Sequence, residues 1–105
     1  MKAIIDGLRY DTDKATKIAS WDNGAHHGDF HRVEETLYRT QANAYFIAGE
    51  GGALSCYASA CEGGRASCGG EGIRPLDEAA AITWLENHKL VDELEREFPD
   101  SIQDA

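Results

Sequence analysis

With 105 residues, 42% of them hydrophobic and 28% charged, the chain has the material for one globular domain with a modest core, and not for two. Its net charge of −9 argues against direct nucleic-acid binding, which works by replacing counterions with Lys and Arg. No run approaches the roughly 18 consecutive apolar residues that a membrane-spanning helix needs.

In chain order, Lys2-Ala3-Ile4-Ile5 and Leu8-Arg9-Tyr10-Asp11 flank Asp6-Gly7, the signature of a β-hairpin closed by a type I′ turn. Thr12-Asp13-Lys14-Ala15 reads as a turn, and Thr16–Trp21 as a strand stopped by Asp22-Asn23-Gly24. Residues 25–34 show no period and read as a loop folding back with Phe30 as its anchor. A second hairpin follows, Glu35–Thr40 with Ala44–Ala48 across Gln41-Ala42-Asn43, rich in aromatic and β-branched residues. Residues 49–72 hold eight of the eleven glycines and all three cysteines and read mostly as loop. Ile73-Arg74 reads as a short final strand.

Asp77 is a good N-cap for the helical part, with Glu78 favourable at the positive end of the helix dipole. Ala81, Ile82, Trp84, Leu85 and His88 form one face, and Leu90, Val91, Leu94 and Phe98 extend it after a bend near Asn87-His88-Lys89. Pro99 ends the helix, and residues 99–105 form a fraying acidic tail. The expected architecture is a single α+β domain over 1–105. An antiparallel sheet of three to five strands, with two hairpins, packs against a C-terminal amphipathic acidic helix. Ile4, Ile18, Trp21, Leu37, Phe46 and Ile47 are the expected sheet side of its core.

The charge is unevenly placed. Residues 77–105 hold nine acids against Lys89 and Arg96, whereas residues 1–76 carry ten acids and eight bases. Acids one helical turn apart lie about 5–6 Å from each other, a spacing comparable to that of successive phosphates on a nucleic-acid strand. Glu86, Asp92, Glu93, Glu95 and Glu97 are therefore the candidate partner-binding residues, with Tyr57 and Phe30 as aromatic anchors. Acidity that serves only solubility is the plainer alternative.

His26, His27 and His31, with Cys56, Cys61 and Cys68 spaced C-x4-C-x6-C, offer a second alternative, a metal- or thiol-dependent protein. The C-x2-C pairs typical of structural zinc are missing, so neither a metal nor any other cofactor is expected. The glycine runs 49–52 and 69–72 match no phosphate-binding loop, and each carries an acid that would repel phosphate. No nucleophile elbow or cysteine signature is present, so no catalytic residue is assigned. Glu34 and Glu35 would point to opposite faces of a strand, which makes them poor acid–base partners. The odd cysteine number and the absence of a signal-peptide h-region point to the cytoplasm.

Several segments in order resemble a family of small proteins carried by phages, plasmids and integrative elements of bacteria. They are Ile4–Thr12, Trp21-Asp22-Asn23-Gly24, Glu35–Thr40, Tyr45-Phe46 with Gly49–Ala53, and Ile73-Arg74-Pro75-Leu76 before an acidic helix. The resemblance implies a mobile-element setting in a bacterial host. Small acidic proteins of that setting include inhibitors of host defence, anti-CRISPR proteins among them. The expected partner is accordingly a basic nucleic-acid-binding host protein or complex, such as a CRISPR effector.

Overall fold

The computed structural model describes residues 1–26, 29–53, 55–57, 59–60 and 67–105, with the main chain alone at 59–60 and 67–68. Strands β1 (Lys2–Ile5) and β2 (Leu8–Asp11) form an antiparallel hairpin. Asp6 and Gly7 both take positive φ at its turn, as a type I′ turn requires. The main sheet is antiparallel and four-stranded. Its order is β3 (Thr16–Asp22), β4 (Val33–Arg39), β5 (Tyr45–Gly51) and then β8 (Gly70–Leu76). Between β5 and β8 lies a small ladder, β6 (Ser59–Ala60) with β7 (Ser67–Cys68). Helices α1 (Glu78–Asn87) and α2 (Val91–Glu97) follow, and Pro99–Ser101 makes one 3-10 turn.

Strand parity decides what each face of the sheet carries. Leu37 pairs with Ile47, and both face the helices with Ala81, Trp84, Leu85 and Phe98 in one buried cluster. Full burial of side chains such as Leu37, Ile47 and Leu85 contributes about 1.5–3 kcal/mol each. A β-bulge between Lys17 and Ala19 turns two successive residues, Ile18 and Ala19, into buried positions. On the reverse face Phe46 stacks on Tyr38 (5.2 Å between ring centroids) and meets the edge of Tyr10 (5.5 Å), so the N-terminal hairpin is fastened there.

Asp77 caps α1 by accepting from the Ala80 amide at 2.7 Å. The expected bend after α1 is a full break. The Lys89 amide donates to the Glu86 carbonyl and the Leu90 amide to the Leu85 carbonyl, a Schellman arrangement with Lys89 at φ +58°.

Several expectations need correction. Phe46, expected under the helices, packs on the reverse face beneath the N-terminal hairpin, because it alternates with the helix-facing Ile47. Ile4 is 67% exposed, because its neighbours Ala3 and Tyr10 share the inward face of the hairpin and leave Ile4 on the outer one. Phe30 is 63% exposed and does not anchor its loop, and the strand after it begins earlier than expected, at Val33. The last strand is longer than Ile73-Arg74. Gly70 and Gly72 lie in it, held by pairing with Gly51 and Gly49 of β5 and not by any strand propensity of their own.

Lys89 occupies a position that favours glycine. A left-handed conformation costs a side-chain-bearing residue about 1–2 kcal/mol, more than the entropy that glycine loses on folding. Lys89→Gly is expected to raise stability by about 0.5–1 kcal/mol in urea denaturation.

Candidate functional site

Glu35 sits in the middle of β4 with the parity of Leu37, so its carboxylate enters the helix–sheet interface and the residue is only 7% exposed. Its cross-strand neighbours on that face are Trp21 on β3 and Gly49 on β5. Gly49 explains how the carboxylate is reached from the loop side. A Cβ there would fall on the phenol of Tyr57, so only glycine leaves room for that ring. The Tyr57 hydroxyl donates to Glu35 Oε2 in a short bond, and the Trp84 indole N–H donates to Oε1 at 3.0 Å. Arg74 Nη2 lies 3.8 Å from Oε2, and His88 Nε2 lies 4.0 Å from Oε1.

A buried carboxylate is costly unless it is hydrogen-bonded and near a cation, and this one is both. The His88 ring stacks on Trp21 (4.0 Å between centroids) and meets Trp84 edge-on (4.9 Å). Burial pushes the His88 pKa below its ordinary 6.5, against the opposing pull of the Glu35 charge. Burial, and then the bond to Glu35, pushes the Tyr57 pKa up. The cluster thus holds a neutral phenol and an indole on a carboxylate, and its first effect is to pin α1 and the Tyr57 segment to the sheet.

A second interior acid does the same for α2. The Glu97 side chain is 9% exposed; it accepts from Arg39 in a short bond and from the Tyr45 hydroxyl at 2.9 Å. Burial and the Glu97 carboxylate raise the Tyr45 pKa to about 12.

The residues singled out from the sequence are therefore divided. Glu86, Asp92 and Glu95 are exposed and Glu93 is half-buried, while Glu97 is turned inward. Among the described residues no ion pair engages Glu86, Asp92, Glu93 or Glu95. Phe30 stands exposed, whereas the Tyr57 hydroxyl is committed to Glu35. His26, His31 and Cys56 are exposed. His27 and Cys61 lie outside the described residues, as does the Cys68 side chain. Among the described residues no group of three or more His, Cys, Asp or Glu side chains could hold a metal ion.

The reverse face carries a feature that composition does not show. Asp22, Glu34, Glu50 and Glu71 are register partners across all four strands, forming a row of acids. Directly opposed like charges are unfavourable, and Arg32 relieves the row by lying 3.4 Å from Glu34 and 3.3 Å from Glu50. Compared with family models, with curated protein sequences and with solved structures, the chain matches none.

Tyr57→Phe removes one donor from a buried carboxylate and is expected to cost about 1–3 kcal/mol in urea denaturation. The loss should shrink in a Glu35→Leu background, where no carboxylate remains to be satisfied. The His88 pKa is depressed in the fold, so its contribution to stability is present above 6.5 and lost as pH falls through the lowered value. Thermal denaturation from pH 7.5 to 4.5 should show that acid limb flattened in His88→Phe.

Proposed function

We propose that the chain acts by binding, and that the carboxylates of α1 and α2 meet a basic, nucleic-acid-handling host protein or complex where that partner's own nucleic acid would lie. A CRISPR effector is the concrete form of such a partner, met in the cytoplasm of a bacterium that carries a mobile element. The observation that carries this reading is the split in the acids. Glu35 and Glu97 are consumed inside the fold, whereas Glu86, Asp92 and Glu95 stand exposed without an ion-pair partner among the described residues. Uncompensated surface charge of one sign steers association with a basic partner and sets its register. Phe30, 63% exposed, supports the same reading as an apolar contact that binding would desolvate.

The test is capture by tagged protein from nuclease-treated bacterial lysate containing CRISPR effectors, comparing the wild type with Glu86→Lys/Asp92→Lys/Glu95→Lys. Surface substitutions of this kind change stability by about 0.5 kcal/mol or less each, so the variant should remain folded. Retention of a nucleic-acid machine by the wild type, and at least about tenfold weaker retention by the variant, is expected. Equal retention by both would mean that these acids serve only solubility.

A further inference from the structure

The strand β8 is the outer strand on one side of the main sheet, and a groove of about 410 Å³ runs between it and α1. Arg74 and Leu76 line the strand side, both on the helix-facing parity of β8. Ala80, Thr83, Trp84 and Asn87 line the other side, at the spacing of one helical face. Gly72 extends the strip along β8, since a Cβ there would meet no atom of the described residues within 4 Å.

Pro75 fixes which backbone groups face outward. It has no N–H, so its pair with Phe46 must be one of the non-hydrogen-bonded pairs of an antiparallel ladder. By alternation Gly70, Gly72, Arg74 and Leu76 bond to β5, while the N–H and C=O of Glu71 and Ile73 and the C=O of Pro75 point away from the sheet. Among the described residues no hydrogen bond engages these outward groups. The opposite edge, β3, is closed by comparison, for it carries the bulge, and its Ile18 carbonyl accepts from Arg96 Nη2 at 3.2 Å.

We propose that the β8 edge and the groove beside it form a binding site for an extended segment of a partner protein, added antiparallel as a fifth strand. Main-chain bonds to Glu71 and Ile73 would hold the segment, and alternate side chains would enter the groove. Charge sets the register. A residue opposite Arg74 faces the groove, where the guanidinium side chain is 56% exposed and only 3.8 Å from a Glu35 that already has two donors. An acid fits there. Three residues further along the segment, the position opposite Glu71 continues the acidic row Asp22–Glu34–Glu50–Glu71, and a base fits there. The segment therefore carries an acid and, three residues later, Lys or Arg, with an apolar side chain between them over Gly72. This site is independent of the helix acids and of the function proposed for them.

The test is an amide NMR titration of the whole chain with a blocked eight-residue peptide of threonine and valine, bearing glutamate third, leucine fifth and lysine sixth. Expected are shifts centred on the Glu71 and Ile73 amides. Ile73→Pro should abolish binding, because it removes an outward N–H and no bond to β5, and an unchanged Tm would show that the fold persists. Arg74→Gln should weaken the glutamate peptide about tenfold and leave a glutamine-bearing peptide unaffected. The proposal is overturned by no shift at millimolar peptide, by shifts confined to α2, by full binding to Ile73→Pro, or by light scattering that shows a second copy of the chain seated on β8 instead.

Discussion

The rest of the structure is arranged around one buried charge. Glu35 places a carboxylate between sheet and helices, where an unpaired ion would cost several kcal/mol. The neighbouring positions answer that constraint. Gly49 gives up its side chain so that the Tyr57 phenol can arrive, Trp84 turns its indole N–H inward from α1, and Arg74 approaches from β8. Strand, loop and helix are thereby held at one point. A mismatch in any of them leaves the carboxylate short of a partner, which gives the interface specificity beyond what apolar packing supplies.

A second buried acid, Glu97, repeats the device at the other end of the helical layer with Arg39 and Tyr45. Between the two polar clusters lies the apolar centre of Leu37, Ile47, Ala81 and Leu85. The helices are therefore fastened by charge at both ends and by burial in the middle. The opposite pH dependences of the two clusters follow. His88 takes up a proton at a lower pH than it would in an unfolded chain, and Tyr45 gives one up only near pH 12. The stability contributed by both residues is fully present between their ordinary values of 6.5 and 10.0, and is lost as pH falls through the lowered His88 value or rises from 10.0 through about 12.

The architecture was largely legible from local patterning. The Asp6-Gly7 turn, the Thr16–Trp21 strand, the Asp77 cap and the buried face of Ala81, Trp84, Leu85, Leu94 and Phe98 each follow from residue types at short spacing, although Val91, expected on that face, is 58% exposed. Longer-range pairing was not legible. Gly70 and Gly72 read as loop because glycine has no strand preference, and only the ladder with Gly51 and Gly49 makes them a strand. Glu35 left a partial signal: of two adjacent acids in a strand, one must face the layer above. Its hydrogen-bond partners lie up to 49 residues away, and nothing local marks Tyr57, Trp84 or His88 as converging on it. The acidic row on the reverse face was hidden for the same reason, since it exists only once four strands are in register.

The central claim is that Glu35 belongs to the cooperative core. Hydrogen exchange of the Trp84 indole N–H tests this most directly, because that proton is the one donated to Glu35 from the helical layer. The account predicts protection equal to that of the Leu37 and Ile47 amides, so that the indole exchanges only on global unfolding. Exchange through a local opening, well ahead of those amides, would show that the helices are held by apolar packing alone and that the buried carboxylate is not what organises the fold.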